Sequence, residues 1–255
     1  MGKRLFLTRF ARVAGIVLLG VLCLNWGPKQ HRNIMRDVID GLKKTRAKNF
    51  AEFIQTAQEI KYSSYPDLNL PSHGWDMVRD RGGILRNVGA AYDSLVTELK
   101  KPVKNQQKIL IDAGCLVHYI GDLHTIGQIS SEFWGKTDNK IDLASDLCTF
   151  SPIWKGGLTY IGLDSLKSEL HREIVNTYNV WRDFALRVQT MWFLDPSQAK
   201  PYVDRQGAWS VYYGKLALWN AWVDAGRPTD FGSVVKTELK KSKNCSWWKK
   251  IAGLC

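Results

Sequence analysis

His118 and Asp122 stand four residues apart in the run Leu116-Val117-His118-Tyr119-Ile120-Gly121-Asp122-Leu123-His124. In a helix that spacing puts both side chains on one face. An imidazole and a carboxylate in an apolar face are costly to bury unless they pair with each other or hold a cation. Two readings therefore stand side by side at this motif, a plain His–Asp hydrogen bond and a metal site.

Helices must position these residues, because apolar side chains recur at helical spacing along most of the chain. The rhythm runs through Ile34, Val38, Ile39 and Leu42, then through Phe50, Phe53, Ile54 and Ala57. It returns over Ile84 to Leu99, Gln107 to Ile120, Leu166 to Phe193 and Trp209 to Val223. Alternating strand patterns are scarce, so the expected fold class is all-α, a multi-helix bundle; if the His–Asp motif is a metal site, its ligands are expected to gather in a central cleft. Between the second and third rhythms, Ser63 to Gly83 holds Pro66, Pro71, Gly74, Gly82 and Gly83 and reads as a loop laid across the domain.

The two ends differ from this body. Lys3, Arg4, Arg9 and Arg12 precede an apolar run from Val13 to Leu24, which is short of the roughly 20 residues a spanning helix needs and fits an export signal. Residues 1–25 are thus read as a signal peptide, 26–230 as the helical domain and 231–255 as a tail, with a periplasmic or extracellular destination. A lipid-anchored Cys23 is the weaker alternative, since Leu22 is large where such sites prefer a small residue. Removing the leader takes four of the 36 basic residues and leaves 32 against 24 acids. A basic protein favours polyanions such as nucleic acid or anionic headgroups, or simply keeps a soluble surface. The tail sets Lys236, Lys240, Lys241, Lys243, Lys249 and Lys250 around Trp247-Trp248, a composition that grips phosphates, lies at a membrane surface, or is a solvated appendage. Without Cys23 the cysteines are Cys115, Cys148, Cys245 and Cys255, an even number suited to an oxidising compartment. The working hypothesis pairs Cys115 with Cys148 and Cys245 with Cys255.

The segment His118-Tyr119-Ile120-Gly121-Asp122-Leu123-His124 resembles the zinc-ligand helix of the zinc-dependent phospholipase C and single-strand nuclease superfamily. Further pieces follow in order. Trp26-Gly27-Pro28-Lys29-Gln30-His31 resembles the mature start of the nuclease branch, Ser72-His73-Gly74-Trp75-Asp76 the loop that supplies another ligand histidine, and Leu218 to Asp224 the closing helix. Glu59 sits where the family usually has Asp. The resemblance spans Trp26 to about Asp224 and places three of the five histidines on ligand positions; His124 and His171 fall outside it and are read as structural. It implies one zinc held by Glu59, His73, His118 and Asp122, and a neighbour held by the amine and carbonyl of Trp26 with His31, sharing Asp122 as a bridge. Imidazole, carboxylate and free amine all suit zinc.

One metal position departs from the family. Where the family has a further ligand His, this chain has Gln128, and where the phospholipase branch has His and Glu, it has Asp142 and Asp146. An oxygen-only trio of Gln128, Asp142 and Asp146 favours a harder cation or holds zinc weakly; the alternative is that the two acids are exposed loop residues. Adjacent divalent metals acidify a water and stabilise charge on an attacked phosphate. The resemblance therefore implies a phosphodiester hydrolase carrying two or three zinc ions, with Asp122 and Glu59 at the reacting centre; the chain is separately expected to be a monomer. Single-stranded DNA or RNA is the preferred substrate, a glycerophospholipid the runner-up. The third reading is a non-catalytic binding protein of the cell envelope.

Overall fold

The structure, a computed structural model, describes residues 28–56, 74–134, 136–148 and 157–231. All of them fall within one compact unit, Asn25–Val234. Among the described residues the architecture is all-α, as the apolar spacing predicts. Eight helices follow in order: α1 (Pro28–Leu42), α2 (Lys48–Thr56), α3 (Ile84–Lys100), α4 (Gln106–Leu123), α5 (Ile126–Ile129), α6 (Lys136–Leu147), α7 (Gly162–Thr190) and α8 (Pro196–Asp224). No helix among the described residues is long and apolar enough to cross a membrane.

The centre of the bundle is α4. Every residue from Asp112 to Leu123 is buried, and the helix packs against α3, α8 and α1. A helix apolar on nearly all sides has to sit in the middle of a domain, and this one starts cleanly because the Asn105 side chain accepts the Lys108 amide at 3.1 Å. At the crossing of α1, α4 and α8 the small residue is Gly214. A Cβ there would stand 2.9 Å from Val38 and 3.6 Å from Val117, so the missing side chain lets three backbones approach.

Three elements differ from the sequence reading. The described end of the Ser63 to Gly83 stretch is a hairpin, in which β1 (Trp75–Asp76) pairs antiparallel with β2 (Arg81–Gly82) in the register Trp75↔Gly82 and Asp76↔Arg81. Gly82 permits this, because a Cβ would stand 2.5 Å from the Gly74 carbonyl oxygen. The last helix begins at Pro196, thirteen residues before Trp209, capped by the Asp195 carboxylate, which accepts from Ser197 N at 2.8 Å. A proline in the first helical turn loses no hydrogen bond, so it opens α8 instead of blocking it. Finally, α7 stops at Thr190, short of Phe193.

The proposed Cys115–Cys148 disulfide is also corrected. Both residues are buried free thiols. Cys115 belongs to the central helix, where burial and the Asp112 carboxylate push its thiol up to about 12. Cys148 follows α6, and its Sγ donates to the Pro196 carbonyl at 3.1 Å. Cys23, Cys245, Cys255, the leader and the Lys/Trp tail lie outside the described residues.

Candidate metal centre

His31 comes from the first turn of α1, while His118 and Asp122 come from the last two turns of α4. The spacing of four on α4 does what it predicts. His118 Nε2 lies 3.2 Å from Asp122 Oδ2, and His31 Nε2 lies 3.3 Å from Asp122 Oδ1. Each carboxylate oxygen thus faces a different imidazole on a different helix. The two rings stack at a centroid distance of 3.8 Å and an interplanar angle of 20°. One ligand atom from each of the three residues can be chosen so that all lie within 4.8 Å of one another.

The approach of α1 to α4 depends on Gly121. A Cβ at that position would stand 3.1 Å from both Cε1 and Nδ1 of His31, so the glycine before the bridging acid makes room for the second imidazole. The trio is at most 2% exposed and so is buried among the helices. Burial opposes charge on Asp122, yet the His118 and His31 imidazoles hold its carboxyl well below the usual carboxylate range. Two imidazoles and one carboxylate form a donor set that suits zinc, and the chemistry of the residues therefore fits the metal that the sequence resemblance implies.

The remaining expected ligands divide. Trp26, Glu59 and His73 lie outside the described residues. Gly74, immediately after His73, packs against the α5 residue Gln128, its virtual Cβ standing 3.1 Å from the Gln128 carbonyl oxygen and 3.9 Å from Oε1. The hairpin is tied to the same helix, since Met77 N donates to Ile129 O at 2.9 Å. Asp142 and Asp146 stand outside the His31, His118 and Asp122 group. They are not exposed loop residues either. Both lie on α6, Asp142 is 3% exposed, and burial pushes the Asp146 carboxyl up to about 6 against the pull of Lys29, Arg32 and the Gln30 amide.

Two polar residues beside these acids carried no sequence signal. Gln30, next to His31 and 1% exposed, donates from Nε2 to the Ser145 carbonyl, and Lys29 donates to the Asp146 carbonyl. These bonds fasten the start of α1 to α6. The Gln30 Oε1 and Ser145 Oγ atoms are buried without a hydrogen-bond partner. Neither residue recurs with any apolar period, so only the contact between helices reveals them.

The two histidines set aside by the sequence reading are placed apart from the trio. His124 is fully buried, donates from Nδ1 to the Ile120 carbonyl at 2.7 Å and stacks on Tyr213 at 5.6 Å; burial pushes it down to about 4 and keeps it neutral. His171 is half-exposed and meets Asp80 of the hairpin turn at 3.1 Å. No protein-family model matches the chain, and no curated protein and no solved structure matches it either.

Proposed function

We propose that this protein is a metal-dependent phosphodiester hydrolase that holds zinc through His31, His118 and Asp122. One observation carries the reading: the two oxygens of a buried carboxylate face imidazoles from separate helices, an arrangement suited to a ligand shared between neighbouring cations. A lone structural His–Asp pair needs one imidazole. The second imidazole, admitted by Gly121, costs burial of another polar ring and is accounted for by a cation.

When bound, such a metal pair lowers the pKa of a water and stabilises charge on a phosphate under attack. The chain's own residues then have separate duties. Asp122 bridges and fixes both imidazoles, while the apolar shell of α1 and α4 excludes bulk water. Trp26, Glu59 and His73 complete the ligand set in this proposal, with Glu59 assisting Asp122 at the reacting centre. Gln128, Asp142 and Asp146 supply oxygen ligands for a further cation.

Single-stranded DNA or RNA is the preferred substrate, supported by the short Trp26 to His31 spacing, the basic charge and the 11 tryptophans available for stacking. A phospholipase C acting on glycerophospholipids is the second reading, favoured by the two acids one turn apart on α6 beside the start of α1. Membership of the phospholipase C and single-strand nuclease superfamily and export after loss of residues 1–25 belong to the same proposal.

The test compares the processed protein on single-stranded nucleic acid, phosphatidylcholine micelles and a chromogenic phosphodiester, with and without chelator. Chelator-sensitive turnover on the first is expected; absence of such turnover on all three points to a binding protein. Asp122→Asn is expected to lose both bound zinc and activity. Unchanged zinc content in that variant rejects the site.

A further inference from the structure

The end of α6 meets the start of α1 beside the candidate centre. The last four carbonyls of one helix and the first four amides of the other have no partner within their own helices, and each end supplies what the other lacks. Gln30 Nε2 donates to the Ser145 carbonyl, and Lys29 Nζ donates to the Asp146 carbonyl. In return the Asp146 carboxylate accepts the main-chain N–H of Gln30. The carbonyl end of α6 is thereby clasped to the amide end of α1.

This clasp adjoins a proposed ligand. Gln30 and His31 are consecutive in the first turn of α1, and consecutive residues point about 100° apart around a helix. One side chain reaches α6; the other reaches Asp122 on α4, with His31 Nε2 standing 3.3 Å from Oδ1. Held from two sides, α1 has its rotation about its own axis fixed. The tolerance is small. At the rim of a helix, roughly 5–6 Å from the axis, a turn of about 10° carries an atom through about 1 Å, whereas a ligand distance tolerates about 0.2 Å.

Stability alone does not account for the clasp. Gln30 is 1% exposed, and its Oε1 and the Oγ of Ser145 are buried without a hydrogen-bond partner, a costly arrangement. The Ser145 carbonyl has a second donor in Cys148 N at 3.0 Å. An unbranched apolar side chain at position 30 would therefore fill the space and orphan no carbonyl. It would not hold the turn by a directional bond.

We propose that Gln30 is a positioning residue for the candidate metal centre, holding the His31 imidazole in register with Asp122 through its bond to α6. The inference rests on the metal reading of His31, His118 and Asp122, and adds a residue that acts through His31.

Cobalt in place of zinc in the whole protein provides the test, because the visible bands of the saturated cobalt form report coordination geometry and not stability. Gln30→Met is expected to change the wavelength or intensity of those bands and to weaken zinc binding about 10–100-fold, while Tm in excess chelator holds or rises. Gln30→Glu keeps the length of the side chain but has no N–H to donate, so its bands should depart from wild type as well. Gln106→Met removes the same kind of bond at the far end of α4, where Gln106 Nε2 donates to the Phe231 carbonyl at 2.8 Å, and should leave the bands in place. A wild type without cobalt bands ends the metal reading and this proposal with it. When the wild type has them, matching spectra from Gln30→Met and Gln30→Glu overturn the positioning role alone, whatever happens to Tm.

Discussion

The closest geometric constraint on the candidate centre is the gap at Gly121, and Gly121→Ala probes it directly. The new methyl would stand 3.1 Å from two atoms of the His31 ring, a few tenths of an ångström inside ordinary contact. The ring has little room to yield, since it is 2% exposed and already stacks on His118 at 3.8 Å. Overpacking of this kind costs about 1–3 kcal/mol, offset by roughly 1 kcal/mol of helix propensity gained when alanine replaces glycine. A net loss of about 1 kcal/mol corresponds to a fall of roughly 2–4 °C in Tm for a domain of this size. The metal feels the shift more sharply. Ligand distances tolerate about 0.2 Å, and disturbing the surroundings that orient a ligand typically lowers affinity by about 10–100-fold. The assay is a thermal melt with excess chelator, paired with a zinc competition titration against a chromophoric chelator. Gly214→Ala is the control, because its methyl would crowd Val38 at 2.9 Å without touching a ligand. It should lower Tm and leave zinc affinity intact. If Gly121→Ala leaves both Tm and zinc affinity unchanged, His31 does not lie against α4 and the centre is wrongly assembled.

The other expectations concern the scaffold. Glu98 is buried and bonded to Lys101 at 2.6 Å and to the Asn105 amide at 3.0 Å; burial opposes its charge, but these partners hold its carboxyl below the usual range. The stabilisation is therefore present above the ordinary glutamate pKa and disappears as pH falls through the depressed folded value. Glu98→Gln should cost roughly 1–3 kcal/mol at pH 7 in urea melts, a gap that closes in acid; a pH-independent gap refutes the ion pair. Asn220 is fully buried and neither of its amide atoms has a hydrogen-bond partner. Asn220→Leu should thus raise stability by about 1 kcal/mol, and a clear loss would reveal a bonded amide. Cys115 and Cys148 should both titrate as thiols in unreduced, denatured protein. In the native fold Cys115 should resist iodoacetamide at pH 7, as expected of a thiol pushed up to about 12; rapid native alkylation contradicts its burial.

Much of the bundle was legible because amphipathic periodicity is a local property. Ile34, Val38 and Leu42 on α1, and the run Ile109 to Ile120 on α4, announce buried faces without reference to any partner. The hairpin was not legible, since two-residue strands carry no alternation and depend on the absent Cβ of Gly82 beside the Gly74 carbonyl. Nor was α6 marked as a helix. Its acids read either as oxygen ligands or as exposed loop residues, whereas they lie on a helix, Asp142 is buried and Ser145 and Asp146 receive the start of α1.

At the candidate centre the same division applies. The sequence by itself determined that His118 and Asp122 share a face, because four residues of α-helix leave no other choice. The resemblance nominated His31, but His118 lies eighty-seven positions further along the chain, and no local periodicity sets that distance. Only the tertiary structure decided that α1 crosses α4 at Gly121 and brings the second imidazole to the other oxygen of Asp122. Helix faces follow from short-range geometry, whereas helix crossings follow from which surfaces fit, and that fit is a property of the packed whole.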